Sequence, residues 1–302
     1  MNSQLSKEYV VNMINFREKI EQALSETKDE PTQIDRIAEI RGWFRPNQNS
    51  DIYPAIQNYL NGSADLQTTV AKIAKPIDEA IKEGKTDDIS LGYIWNSLLH
   101  SSKRIPFRDA EQHAKLVDLV KAIQEHPDPS GGSTYKTLSG LGMQAREAYN
   151  DIPRHDTGLF KQDFHAWANL NYFLARLTES GVFEFYLYTI WAMREALEKA
   201  PGRLPGWYDI HVPAAAVWVF ALGSKLYERE EDLTPKNRNE GNPAKGGDLW
   251  TGGPVFSKER WAFWKKRFGD VAGEEGDASL VSEETRKIAR DAVEAMEKAE
   301  SA

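Results

Sequence analysis

Four polar residues recur at helical spacing along one segment of the sequence. They are His165, Asn169, Tyr172 and Arg176. At about 100° per residue these positions fall on one narrow stripe of an α-helix. An imidazole, an amide, a phenol and a cation in one stripe could orient and protonate a small oxygenated molecule. We therefore predict His165 and Tyr172 as catalytic residues, and Asn169 and Arg176 as ligand-binding residues.

The same stripe has a plainer interpretation as the solvated face of an amphipathic helix. The stripe lacks the Lys and Glu residues that usually fill such faces, which favours the functional interpretation. The opposite side of the segment is apolar and aromatic, so the helix itself is expected to pack into the core.

Glu184 is a second catalytic candidate, because it lies among Phe183, Phe185, Tyr186 and Tyr188. If its side chain is buried, its pKa would rise and it could act as an acid or base near neutrality. The alternative is a water-exposed carboxylate stabilised by a helix N-terminus.

A third group of polar residues follows the same helical spacing earlier in the chain. His100 comes four residues after Asn96, and Arg104 four residues later. These side chains could form a polar wall. The sequence favours a satisfied histidine near a helix end, because His100 falls in the last predicted turn.

Aromatic residues concentrate around a glycine-rich turn near the end of the chain. Trp250, Trp261 and Trp264 flank this turn, and Arg260 lies among them. They could form a lid over a pocket, with Arg260 binding an acidic ligand group, and we predict all four as ligand-binding residues. Alternatively, the rings pack the tail onto the body and Arg260 pairs with a protein carboxylate.

Several kinds of chemistry lack their sequence signatures. The chain has no cysteine, which excludes disulfides, thiolate nucleophiles and cysteine metal sites, and favours a cytoplasmic location. It has no phosphate loop and no His-Glu-x-x-His motif. His155, Asp156, Asp163 and His165 have no specific metal spacing. We therefore predict no cofactor and no metal.

The net charge of −8 limits the partners. Nucleic acids and anionic membranes attract basic surfaces, so we expect neither as a partner. No run of 18 apolar residues is present. A small-molecule ligand is the partner that we expect.

Helical periodicity dominates the chain, so we predict an all-α fold with roughly eleven helices packed as irregular antiparallel hairpins around a Trp-rich core. The centre is expected in residues 164–227, with helices over 181–199 and 212–227. Ser257 and Ser282 are predicted to begin the last two helices of the chain. We predict a single domain over 1–302. Its parts are a helical N-terminal part (about 1–126), a core part (about 135–227) and a loop with a Trp-rich tail (about 228–302).

Three segments together carry a family resemblance. They are WNSLLHSSKRIP at 95–106, WANLNYFLARL at 167–177, and LWTG at 249–252 followed by FSKERWAFWK at 256–265. In this order, from about residue 65 to 268, the chain resembles family 3632 of the domains of unknown function, a set of fungal proteins. The resemblance implies a mostly helical intracellular protein and a role near specialised metabolism. It assigns no catalytic residues.

Two functions follow as hypotheses. The first is a small-molecule pocket in the helical body, used for binding or for cofactor-free isomerisation, cyclisation or dehydration. The second is a non-catalytic scaffold that presents a helical surface to another protein. A pocket of several hundred Å³ would favour the first function, and an exposed aromatic groove the second.

Overall fold

The computed structural model describes residues 16–46, 50–85, 90–153, 159–200, 206–237, 239, 241–273 and 280–302. Within these ranges the chain is helical apart from loops and one short two-stranded sheet, which confirms the all-α fold class. The helices are α1 (residues 16–25), α2 (Glu30–Arg41), α3 (Ile52–Leu60), α4 (Leu66–Lys82), α5 (Gly92–Lys103), α6 (Ala110–Gln124), α7 (Leu141–Asn150), α8 (Lys161–Glu179), α9 (Tyr186–Met193), α10 (Trp207–Leu222), α11 (Ser224–Tyr227), α12 (Lys258–Ala272) and α13 (Glu283–Glu300). The strands are β1 (Glu231–Asp232) and β2 (Val255–Phe256).

The chain forms two compact units, Met1–Leu170 (unit 1) and Asn171–Ala302 (unit 2). The boundary falls inside α8 and not at any of the Gly- and Pro-rich loops that divide the chain in the sequence. In the described part of the chain, no helix is both long enough and apolar enough to cross a membrane.

Local capping chemistry explains where several helices begin and end. The carboxylate of Asp29 accepts a hydrogen bond from the Thr32 amide at 3.0 Å, and α2 ends at Gly42, which has a φ of 73°. Ser257 and Ser282 cap α12 and α13 in the same way, each accepting from the amide three residues later. The predicted caps at these two serines are therefore confirmed.

In unit 1, α5 lies at the centre and packs against α3, α6 and α7. Its Trp95 is fully buried, and the indole nitrogen donates to the Ser139 carbonyl at 2.8 Å. His100 and three serines of α5 are also buried. Buried polar side chains usually form internal hydrogen bonds, as the hydroxyls of Ser101 and Ser102 do with carbonyls of α5.

In unit 2, α10 is buried along almost its whole length and packs against α9 and α13. Trp218 on α10 is fully buried, and its indole nitrogen donates to the Asn171 side chain at 3.0 Å. Trp261 and Trp264 on α12 are buried as well, as are Trp95 and Trp167 in unit 1. The predicted Trp-rich core is thus confirmed.

Two predicted helices differ from the observed ones. The helix expected over 181–199 begins only at Tyr186 and ends in a π-helical turn, Arg194–Glu198. The helix expected over 212–227 begins at Trp207 and is interrupted by Gly223, whose φ of 47° is outside the helical range. The polar segment after α11, predicted as a loop, contributes β1, which pairs antiparallel with β2.

Candidate functional site

Unit 1 contains a cleft with a volume of about 440 Å³, within the usual size range of ligand sites. We call it the α5 cleft, because α5 supplies the residues with the most reactive side chains. Helices α2, α7 and α8 form the other walls together with the segments that follow α2 and α7. Its lining comprises Ile34, Ile37, Ala38, Arg41, Trp43, Phe44, Asn96, Leu99, His100, Lys103, Gln144, Glu147, Ala148, Asn150, Asp151, Pro153, Gln162, Asp163, Ala166 and Trp167.

On the α5 wall of the cleft, His100 pairs with the carboxylate of Asp35. Nε2 of His100 is 2.8 Å from Oδ1 of Asp35, and the ring stacks on Phe44 with centroids 4.2 Å apart. His100 is only 5% exposed, and this burial lowers its pKa below the usual value, against the opposing effect of the Asp35 hydrogen bond. The imidazole is therefore neutral at pH 7, with its proton on Nε2, and Nδ1 carries the basic lone pair.

Asp35 has two further polar contacts, a hydrogen bond and an ion pair. The Tyr53 hydroxyl donates to Oδ1 at 3.0 Å, and Nε of Arg104 lies 3.1 Å from the same oxygen. Burial, with the negative charge of Asp35, raises the pKa of Tyr53 above its ordinary value, so the phenol stays protonated and keeps donating. Asp35, Tyr53 and Arg104 also line a second, more open cleft of about 610 Å³ in unit 1.

Paired charges surround the α5 cleft. Arg41 and Asp163 form a bidentate ion pair with distances of 2.7 and 3.0 Å, and both side chains are buried. Nζ of Lys103 is 3.0 Å from Asp151. The guanidinium carbon of Arg41 lies 4.8 Å from the ring centroid of Trp43, which is 44% exposed. A partly open aromatic face thus lies beside fixed charges.

The predicted catalytic stripe does not line either of these clefts. His165 is partly exposed, and its Nδ1 lies 2.5 Å from Glu30. Asn169 is buried. Its oxygen accepts from the Phe107 amide at 2.8 Å, and its nitrogen donates to the Lys103 carbonyl at 2.9 Å. Both polar atoms of the Asn169 amide therefore bind backbone groups at and just after the end of α5.

The other two stripe residues belong to unit 2. Tyr172 is buried, and its hydroxyl accepts from Nη1 of Arg176 at 3.3 Å. Arg176 is partly exposed and lies 3.9 Å from Glu179. The interpretation as a solvated face is therefore wrong for Asn169 and Tyr172, both of which are buried on α8. The catalytic and ligand-binding roles of the stripe stay predictions.

Glu184 is exposed, which corrects the burial on which its catalytic role depended. It lies in the turn between α8 and α9, before Phe185, whose ring is buried in place of the carboxylate. The aromatic residues around Glu184 in the sequence therefore do not enclose it. The acid/base role proposed for Glu184 therefore loses the burial that supported it.

The aromatic tail cluster is organised around Glu198. Arg260 is fully buried and makes a bidentate ion pair with Glu198, and Trp264 donates to the same carboxylate at 2.7 Å. Trp261 is buried and donates to Glu300 at 2.9 Å, whereas the partly exposed Trp250 donates to the Gly253 carbonyl at 3.0 Å. The acid that Arg260 binds is thus a protein side chain, as the second interpretation of this cluster held.

Sequence reasoning singled out His100 and Asn96 but did not include them among the site residues. It missed Asp35, Trp43 and Lys103 altogether. One usable signal was present, because Asn96, His100 and Lys103 follow the spacing of one helical face and all line the cleft. The pairing with Asp35, 65 residues away, has no such local signal.

A metal site needs several donor side chains around one point. Among the residues with described positions, no group of three or more His, Cys, Asp or Glu side chains could hold a metal ion. His155 and Asp156 lie outside the described residues. The donors that are described at Asp163 and His165 instead contact Arg41 and Glu30.

The family model described as "Protein of unknown function (DUF3632)" matches residues 95–268. The match begins within α5, includes His100 and Lys103, and ends within α12. No curated protein and no solved structure matches the chain. Because the matched residues make up more than half of the 302-residue sequence, the chain belongs to the DUF3632 family.

Proposed function

We propose that this protein binds a small oxygenated molecule of low net charge, carrying an aromatic or conjugated ring, in the α5 cleft. The observation that carries the proposal is the lining of this cleft, which combines an apolar floor with an open indole and several amide side chains. Sites for small molecules typically have such a composition, with a few polar groups that fix the orientation.

The ring of the ligand is inferred from the apolar surfaces. Ile34, Ile37 and Leu99 provide an aliphatic surface, and the partly exposed Trp43 offers an aromatic face. An indole held at the edge of a cleft can stack on a planar ligand, which gains about 0.5–1.5 kcal/mol beyond simple burial.

The low net charge of the ligand is inferred from the pairing of the charges. Arg41 is held by Asp163 and Lys103 by Asp151, so an anionic ligand would have to compete with a carboxylate that is already in contact. The amide groups of Asn96 and Gln144 can instead bind hydroxyl and carbonyl oxygens without such competition.

The proposal extends to fungal specialised metabolism and a cytoplasmic location. Its support is the resemblance of the chain to a fungal family, together with the cysteine-free sequence. Deleting the gene from a fungus that carries it, and comparing extracts by mass spectrometry, would test the metabolic part. Unchanged metabolite profiles under all growth conditions would contradict it.

Fluorine NMR of the full chain labelled with 5-fluorotryptophan tests binding directly, because each of the nine tryptophans gives its own resonance. The probes are phloroglucinol, 2-hydroxyacetophenone and 2-tetralone. We expect at least one probe to shift the Trp43 resonance, assigned with Trp43→Phe, while Trp218 and Trp264 in unit 2 stay unchanged. If no probe shifts Trp43, binding at this cleft is contradicted.

A variant that narrows the cleft provides the control. Ala148 on α7 lines the cleft and is partly exposed, so Ala148→Phe can occupy the space without entering the core. We expect it to weaken probe binding at least about tenfold, equivalent to about 1.4 kcal/mol. Ala110→Phe makes the same change at an exposed position of α6 outside both clefts and should leave binding unchanged.

A further inference from the structure

We infer that His100, positioned by Asp35, is a catalytic base that moves a proton from the carbon next to a carbonyl group of the bound molecule. This activity is a keto–enol or double-bond isomerisation. It rests on the proposed function, since the substrate must bind in the α5 cleft. The contacts of the His100 imidazole ring support this inference.

The imidazole is held in one orientation. Asp35 binds Nε2 at 2.8 Å, and Phe44 stacks on the ring at 4.2 Å. The ring of Tyr53 lies 5.8 Å away on a tilted plane. Among the described residues, Nδ1 of His100 has no hydrogen-bond partner, although the side chain lines the cleft. The unprotonated nitrogen is thus the one available to a bound molecule.

A base held in this way suits proton abstraction near neutral pH. Burial keeps His100 neutral, so the lone pair on Nδ1 is available. When Nδ1 takes a proton, the carboxylate of Asp35 stabilises the imidazolium that forms. The groups that set this balance are Asp35 on α2, Tyr53 on α3 and the two cations Lys103 and Arg104, at and just after the end of α5.

The proposed step is balanced without a co-reactant. Nδ1 accepts the proton, the C–H electron pair forms a carbon–carbon double bond, and the carbonyl electrons move onto oxygen to give an enolate. The imidazolium then returns a proton to the original carbon or to a conjugated one. When the imidazolium first exchanges its proton with water, the substrate carbon acquires a solvent hydrogen. The net result is an exchange or an isomerisation with no oxidation.

Lys103 is placed to stabilise the enolate oxygen. It follows His100 by three residues on α5, so the two side chains are neighbours on one face, and both line the cleft. Its Nζ contacts Asp151 at 3.0 Å, and its side chain is only 15% exposed. A cation held in place beside the reacting group stabilises developing negative charge without reorganisation. Asp35, which does not line this cleft, is a positioning residue.

Exchange of the α-protons of 2-tetralone in D₂O, followed by proton NMR, tests the inference on the full chain. We expect wild-type protein to accelerate exchange above buffer. His100→Ala should reduce the protein-catalysed rate at least about 100-fold, and added imidazole should restore part of it. Lys103→Met should reduce the rate constant at saturation more than the probe affinity.

The matched control is His126→Ala. His126 is also in unit 1 and also pairs with a carboxylate, Asp78, at 2.9 Å, but it lines neither cleft. Its removal should leave the exchange rate unchanged.

The variant Asp35→Asn tests the positioning role of Asp35. It should still bind the probe, but the pH dependence of the exchange rate should shift. A purely structural role of Asp35 would leave this pH dependence unchanged.

The outcomes separate the two proposals. If 2-tetralone shifts the Trp43 resonance in wild type and in His100→Ala, but both exchange its protons equally fast, the catalytic inference is overturned and the binding proposal stands. If no probe shifts Trp43 and no exchange occurs, both fail. Loss of exchange in His100→Ala with retained Trp43 shifts and imidazole rescue supports the inference.

Discussion

Glu198 and Arg260 form a bidentate ion pair in which neither side chain is exposed to solvent. Nε of Arg260 lies 2.7 Å from Oε1 and Nη2 lies 3.0 Å from Oε2. Trp264 donates to Oε1 at 2.7 Å and the Gly247 amide to Oε2 at 3.0 Å, so both carboxylate oxygens are used. The pair connects the π-helical turn after α9 with α12 and with the segment before β2.

Removing one partner of this pair should destabilise the protein strongly. Arg260→Met leaves the Glu198 carboxylate buried without its cation, which costs about 3–5 kcal/mol. Urea unfolding at pH 7 would measure this loss. The control is Arg290→Met, which breaks the exposed pair with Glu283 and should cost less than about 1 kcal/mol. Equal effects of the two substitutions would contradict a structural role for Glu198 and Arg260.

Asn169 is expected to stabilise the folded protein. Asn169→Leu removes the acceptor of the Phe107 amide and the donor to the Lys103 carbonyl, which should lower the free energy of unfolding by about 1–3 kcal/mol for each group left unsatisfied. Thermal and urea unfolding would measure it. Asn58→Leu, at an exposed position of α3, should be nearly neutral. Unchanged stability combined with lost probe binding would instead support the predicted ligand-binding role.

His211 should make stability depend on pH. It is buried on α10, and burial lowers its pKa from 6.5 to about 3. Below pH 6.5 the unfolded chain binds a proton that the folded protein does not, so stability falls as the pH falls from 6.5 towards 3.

This proton linkage predicts how much the free energy of unfolding differs between pH 7 and pH 5. Between pH 7 and pH 5, His211 should account for a loss of about 2 kcal/mol, measured as the change in the free energy of unfolding in urea. His211→Gln should remove this part of the loss. Between pH 7.5 and 8.5 neither state binds the proton, so the slopes of wild type and variant should coincide. A variant with the wild-type slope between pH 7 and 5 would refute the assignment.

Substitutions of two neighbouring aromatic residues should affect different properties, ligand binding at Trp43 and stability at Phe44. Trp43 is 44% exposed, so Trp43→Ala should cost about 1 kcal/mol or less, mainly from lost cation–π contacts, while weakening probe binding at least about tenfold. Phe44 is buried and stacks on His100, so Phe44→Ala should cost about 3–5 kcal/mol. Calorimetric titration with the probes, together with urea unfolding, would measure both effects. Strong destabilisation by Trp43→Ala would show that the ring is packing and not a ligand surface.

Much of the fold could be predicted because its signals are local. The periodicity of apolar residues indicated helices, and the serines at 257 and 282 indicated where two of them begin. The abundance of tryptophan indicated an aromatic core, since large rings are costly to expose. The order of three short segments was enough for the family, which the match over residues 95–268 confirms.

The site was harder to predict because α8 is buried on more than one side. Periodicity separates an apolar face from a polar one, but it does not show what a polar side chain contacts. Asn169 looked available for a ligand, yet its amide is used by the backbone near the end of α5. Arg260 looked like an anion site, and the anion is Glu198, 62 residues away.

The sequence by itself determined the helical class, several helix ends, the aromatic core and the family, because each depends on neighbouring residues or on composition. Only the tertiary structure decided that Asp35 meets His100 and that α5 lines a cleft. A contact between residues so far apart in the sequence depends on how several helices pack together. That packing is set by the sum of many weak contacts between distant residues.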